Sequence, residues 1–340
     1  MRFDFVIGNP PYQEIVENNN CQSPVYNKFM EEAYKVANTI ELITPARFLF
    51  NAGQTPKSWN KKMLSDKHFK VLCYEANASK IFPNTDIKGG VVISLRNRNK
   101  IYGEIEIFTP YDELTNILNK VRKKSDKFIC DIVTGAVPYH FSDSVKKEYP
   151  ELIKSIGKSF DLRTNILDKL DNKLFFETRP DDGKEYIRIF GLKKKTRIFE
   201  WICNKYIIAP ENFNYYKVFL SKASGTGLFG EVLSEPIIGE PKVGHTQSFI
   251  SIGSFKTKIE AYNLIKYMKT KFCRSMLNVL KITQDITAQK LKFIPMQDFS
   301  NESEINWTTS ISNIDRQLYK KYALSEEEIK FIETNVREME

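Results

Sequence analysis

The first twelve residues leave this chain few options. Phe3 to Ile7 form a short run dominated by apolar residues, Gly8 follows, and Asn9-Pro10-Pro11-Tyr12 closes it. A short apolar run bounded by turn residues reads as a strand buried on both faces, as in parallel sheets. Two consecutive prolines fix two φ angles and hold the residue before each in an extended conformation. The strand must therefore end in a rigid, outward-facing turn. That turn offers the Asn9 side chain and the Pro10 carbonyl as acceptors, next to an aromatic ring. Asn-Pro and Pro-Pro are also common loop punctuation, so the elements that follow decide what the turn is for.

Residues 24–38 carry apolar or aromatic side chains at 25, 26, 29, 30, 33, 34, 36 and 37, the pattern of an amphipathic helix with a wide buried face. Ile40 to Thr44 is a second apolar strand, closed by Pro45. Strand, helix and strand in this order make a right-handed βαβ unit. Trp59 to Ser65 reads as a helix and Lys70 to Tyr74 as a strand. A loop with turn chemistry, Ile81-Phe82-Pro83-Asn84-Thr85-Asp86, leads to Gly89-Gly90 and a strand from Val91 to Leu95.

A strand ending in Asn-Pro-Pro-aromatic resembles motif IV of the amino-methyltransferases, in the form typical of adenine-N6 DNA methyltransferases of restriction–modification systems. The stretch Ile40 to Leu49 resembles the strand and prolyl loop that follow this motif, and residues 1–100 resemble the second half of the catalytic domain in order and spacing. The chemistry suits the residues. The exocyclic amine of adenine is a poor nucleophile because its lone pair is delocalised into the ring, and two acceptors on its hydrogens favour a localised lone pair. The resemblance implies that Asn9 and the Pro10 carbonyl bind the target amine, Pro11 shapes the turn, and Tyr12 stacks on a flipped-out adenine. It also implies S-adenosyl-L-methionine as cofactor. In that family a Gly-rich loop and a ribose-binding acid precede motif IV. The fold expected is α/β: a partial Rossmann-like methyltransferase sheet followed by an α+β target-recognition domain. The cofactor wall is expected to be incomplete, with strand 3–7 left as an exposed apolar edge. Three readings stay open: a split enzyme completed by an upstream-encoded polypeptide, a truncated enzyme, and a non-catalytic DNA-binding specificity module.

Charge points to a polyanion partner, and the resemblance implies that it is double-stranded DNA. The net charge is +9, and residues 183–300 alone hold 19 Lys/Arg against 9 Asp/Glu, whereas the last forty residues are acidic. A basic block confined to one region is the footprint of such a surface, although a lysine-rich composition also produces one. Arg47, Lys193, Lys194, Lys195, Lys222 and Lys242 are the expected DNA contacts. The loop Ser221 to Gly227 lacks the Gly-Lys-Ser/Thr of a phosphate-binding P-loop; it reads either as a hairpin turn or as a loop whose amides and Lys222 approach DNA phosphates. Cys21, Cys73, Cys130, Cys203 and Cys273 form no CxxC pair, and His68, His140 and His245 are isolated. Neither a disulfide framework nor a metal site is suggested. No run of about 18 apolar residues is present, and a cytoplasmic protein is expected.

Expected domains are 1–125 (catalytic half), 126–300 (target recognition) and 301–340 (helical tail). Further elements expected are a short strand at Ile105 to Phe108, a helix from Asp112 to Val121 ending in three basic residues, and strands over 186–191, 204–209 and 215–220. One long helix over 256–281, with apolar positions that include 259 and 262, is followed by a short apolar strand or loop at 292–296 and a helix over 310–322. A final helix over 326–339 is capped by Ser325 and Glu328.

Overall fold

Strand β1 (Phe3–Gly8) leads through the Pro-Pro turn to helix α1 (Tyr26–Val36) and strand β2 (Ala37–Pro45), which lies parallel to β1 with Val6 opposite Ile40 and Gly8 opposite Leu42. The computed structural model describes residues 3–14, 23–85 and 87–339, so Cys21 and Asp86 lie outside the described residues. Helix α2 (Lys57–Leu64) precedes β3 (Phe69–Glu75) and β4 (Val91–Asn97). The strand order is β1-β2-β4-β3, and β4 runs antiparallel to both of its neighbours. Consequently the C-terminal ends of β1, β2 and β3 meet at one edge of the sheet. Gly90 makes the entry into β4 possible. Its φ is +76°, and a Cβ there would lie 2.3 Å from the Glu75 carbonyl oxygen. Residues 105–108 are not a strand: the chain crosses there as irregular backbone, with the Ile105 and Glu106 amides bonded to the Leu64 carbonyl.

One face of this sheet is a core. Ile40, Leu42, Val92 and Phe69 are buried beneath Met30, Phe48, Trp59 and Met63. Phe48 packs against Trp59 and Phe69 at ring distances of 5.2 and 6.2 Å. The other face differs from the expectation of a strand buried on both sides. Phe3, Phe5 and Ile7 are 53%, 67% and 77% exposed, and Leu72 is exposed as well. Around β1 and Leu72 the described residues leave that face uncovered.

The chain divides into two compact units, residues 1–115 and 116–340. The division falls within helix α3 (Asp112–Lys124) rather than at 125, and residues 301–340 belong to the second unit instead of forming a separate tail. That unit opens with β5 (Val133–Thr134), β6 (His140–Phe141) and short helices α4 (Asp143–Glu148), α5 (Ile153–Ile156) and α6 (Ile166–Lys169). A hairpin of β7 (Tyr186–Lys193) and β8 (Thr196–Cys203) follows, then β9 (Ile207–Ile208), β10 (Tyr216–Ser221), β11 (Ile237–Gly239), β12 (Val243–His245) and β13 (Phe249–Phe255). They assemble as β11-β10-β13-β5, β12-β7-β8 and β6-β9. The small sheets share an aromatic seam in which Phe190 stacks on Phe219 at 5.7 Å and meets Phe249 at 4.3 Å.

The long helix expected over 256–281 is two helices, α7 (Lys258–Lys269) and α8 (Lys271–Asn278). Thr270 breaks it. Its backbone is extended, its hydroxyl donates to the Tyr267 carbonyl and accepts from the Cys273 amide, and the buried Asp315 carboxylate accepts from the amides of Lys271 and Phe272. A capped start satisfies the orphan amides of α8, so the break is stable. Ile259 and Tyr262, both expected to be buried, are each 54% exposed. Helix α9 (Ile311–Lys321) supplies Asp315, and α10 (Glu326–Asn335) begins at the Ser325/Glu328 capping box.

Candidate active site

At the edge where β1, β2 and β3 end lies a cavity of about 680 Å³. Its existence follows from the topology. The Pro-Pro turn supplies Asn9 and Tyr12, the end of β2 supplies Pro45 and Arg47, and the loop before β4 supplies Phe82, Thr85, Ile87 and Lys88. The turn is tied down where it meets α1: the Tyr12 carbonyl accepts from the Val25 amide at 3.1 Å, and Gln13 bridges Pro24 antiparallel. Arg47 sits in a short 3₁₀ segment, Ala46–Phe50, that ends on Asn51 in the left-handed region, with the Ala52 amide bonded back to the Arg47 carbonyl.

The cavity is polar where it matters. The Tyr12 hydroxyl is buried without a hydrogen bond of good geometry. Burial pushes its pKa up, opposed by the neighbouring Asn9 side chain. Tyr26 is pushed up to about 12, again by burial, with Thr55 and the Arg47 charge opposing. Both rings are therefore neutral phenols near pH 7. The described lining contains two cations, Arg47 and Lys88, and no acid. Asn9 and Tyr12 are thus brought together with Arg47, as expected. Phe82, Ile87 and Lys88 were not singled out from the sequence, because they belong to a segment whose only visible signal was turn chemistry.

The segment that carries Asn9 and Tyr12 is similar to restriction–modification methylase sequence. Residues 1–82 match the profile of the Eco57I restriction-modification methylase family. A protein of Mycoplasma pneumoniae (strain ATCC 29342 / M129 / Subtype 1), described as an uncharacterized adenine-specific methylase, is 26% identical over 103 residues, which are 29% of this chain and 24% of that protein. Among solved structures, the type IIG restriction endonuclease BpuSI aligns with 93% of this chain and 50% of its own, at 10% identity and a TM-score of 0.31. The type IIL restriction-modification enzyme MmeI, solved in complex with DNA, aligns with 98% of this chain and 56% of its own, at 11% identity and a TM-score of 0.41. The matches thus span about a quarter of the Mycoplasma relative and about half of each structure.

Outside this matched segment, the basic residues expected to contact DNA occupy different situations. Lys193 is internal: its side chain is 11% exposed, and its ammonium lies 2.7, 2.8 and 3.0 Å from Glu200, Asp171 and Glu177. Burial pulls its pKa down, but the three carboxylates outweigh that and the net shift is upward. Its role in the fold is to neutralise the fully buried Glu200, which corrects the expectation of a freely available phosphate contact. Lys194 and Lys195 are exposed at the tip of the β7–β8 hairpin, with φ of 49° and 67°. Lys242 is exposed and pairs with Glu185 at 2.8 Å. Lys222 is half-buried, and its backbone amide bonds to the Ser248 carbonyl. The loop amides expected near phosphates are engaged internally: Thr226 and Gly227 donate to the Glu231 carboxylate at 2.7 and 2.8 Å. Among the described residues no group of three or more His, Cys, Asp or Glu could hold a metal, and no helix is long and apolar enough to cross a membrane.

Proposed function

We propose that this chain carries the adenine-binding and DNA-reading part of a site-specific adenine-N6 DNA methyltransferase of a restriction–modification system. The observation that carries the reading is Asn9 and Tyr12 meeting at a cavity built from the C-terminal ends of adjacent parallel strands, where open α/β sheets bind ligands. Asn9 Oδ1 and the Pro10 carbonyl accept the two amino hydrogens of a flipped adenine and hold its lone pair toward the methyl donor. Tyr12 supplies the stacking face. Rate enhancement comes from positioning and fixed acceptors. S-adenosyl-L-methionine is the donor that the resemblance implies, and it supplies an activated methyl group. The described lining does not fit its nucleoside, since it offers no acid for a ribose.

The exposed apolar face of β1 supports completion by a further α/β segment, as a parallel strand is ordinarily covered on both faces. An upstream-encoded polypeptide is the partner this reading calls for. The basic block over residues 183–300 favours a second reading, a specificity module that binds DNA through that region and performs no transfer. Transfer of labelled methyl from S-adenosylmethionine to unmethylated DNA separates the two, assayed with this chain alone and with the product of the upstream gene. Transfer that appears with either preparation and collapses in Asn9→Ala supports the enzyme. No transfer in either, with DNA binding retained, supports the module.

A further inference from the structure

We infer that Arg47 binds the phosphate of the nucleotide whose base enters the Asn9–Tyr12 cavity, so that the site recognises a nucleotide and not the base alone. The inference rests on the adenine reading above and deepens it.

The Arg47 side chain lines this cavity. Its Nε is buried without a hydrogen-bond partner, and no ion pair of its side chain is present among the described residues. An unpaired buried guanidinium N–H is costly and calls for an explanation; at a cavity wall a bound ligand supplies one. Its position is fixed from two sides. Gly53, at φ +87°, leaves room for the stem, since a Cβ there would lie 3.2 Å from Arg47 Cβ and 3.4 Å from its Cδ. The Asn51 turn holds the backbone of the 3₁₀ segment from which the side chain projects. Lys88 lines the same cavity, and no acid of the described lining opposes the two cations. A neutral base needs no cation, whereas a flipped nucleotide brings its phosphate to the mouth of the pocket its base enters. Guanidinium matches phosphate in charge and in fork geometry.

The test is ligand-observed NMR titration of the full chain with deoxyadenosine, 5′-dAMP, 3′-dAMP and inorganic phosphate. At least one monophosphate is expected to bind about fivefold or more tighter than the nucleoside. Arg47→Gln removes that preference, while Arg47→Lys, which keeps the charge without the fork, restores part of it. Nucleoside and nucleotides binding equally well overturns this inference and leaves the adenine reading standing. A phosphate preference unchanged in Arg47→Gln also overturns it. Inorganic phosphate competing as strongly as the nucleotide overturns it too, because the site is then a free-anion site. Failure of nucleoside and nucleotides alike overturns the inference together with the adenine reading. Tyr12→Ala guards against binding elsewhere: it is expected to weaken deoxyadenosine, and unchanged affinity places the ligand outside this cavity and overturns the inference.

Discussion

Single side chains carry the chemistry, and they are separable by experiment. Asn9→Ala is expected to lower methyl transfer by about 10²–10³-fold, the typical loss of one fixed polar group in a reacting site, with DNA affinity nearly unchanged in a filter-binding titration. Tyr12→Phe keeps the stacking face and removes a buried hydroxyl that lacks a hydrogen bond of good geometry, so its melting temperature should equal or exceed that of the wild type while transfer persists. His245 governs acid stability. It is fully buried, with its ring 5.1 Å from Tyr139 and 5.2 Å from Phe219. Burial, reinforced by the Lys217 charge and opposed by the Thr246 carbonyl, lowers its pKa to about 4. The unfolded chain therefore binds the proton first. The stability His245 contributes is present above about pH 6.5 and is lost as pH falls toward 4, by about 3 kcal/mol. Asp315 acts in the opposite sense, since burial raises it to about 6: its contribution is present below about pH 4 and lost as pH rises through 6. Urea titrations of wild type and His245→Gln between pH 4 and 7 isolate the histidine, and equal pH slopes would refute the assignment.

At the scale of elements, the β7–β8 hairpin turns through Lys194 and Lys195, both with positive φ. Two-residue turns of this kind favour Asn-Gly, because Cβ atoms are strained there. Strained backbone tends to persist where function needs the side chains. Replacing the pair by Asn-Gly should raise stability by about 1 kcal/mol. If these lysines meet phosphates, it should also lower the magnitude of the salt slope of DNA binding by about 1 for each phosphate no longer neutralised. An unchanged salt slope would make the pair merely a turn. The junction of α7 and α8 is a second local device. Asp315→Ala should cost about 1–2 kcal/mol in a denaturant titration by uncapping α8. The pattern of 256–281 hid this break, because apolar positions ran on through Thr270. The extended conformation of Thr270 is supported by a carboxylate from α9, far along the sequence, that no window over the helix contains.

For the whole molecule, the exposed face of β1 is the feature with the largest consequence. Phe5→Lys and Ile7→Lys project from an uncovered face, so each should leave the chain's own stability within about 0.5 kcal/mol of the wild type, read by thermal melting. The same changes should abolish complementation by an upstream partner, read as loss of co-purification. Undiminished co-purification would move the docking surface elsewhere.

Much of this was legible in the residues themselves. The Pro-Pro turn, the apolar strands between residues 3 and 97, the capping box at Ser325 and the starts of the final helices are local: they are set by φ restriction, periodicity and nearby polar groups, and the sequence by itself determined them. Tertiary structure alone decided the rest. It put Phe82, Ile87 and Lys88 beside Asn9, because antiparallel insertion of β4 returns that loop to the edge where β1 and β2 end. It drew Lys193 inward, because Glu200 is buried and needs a counter-charge. It left the Arg47 Nε without a partner, because what surrounds a guanidinium depends on distant segments converging, and side-chain type alone does not encode that convergence.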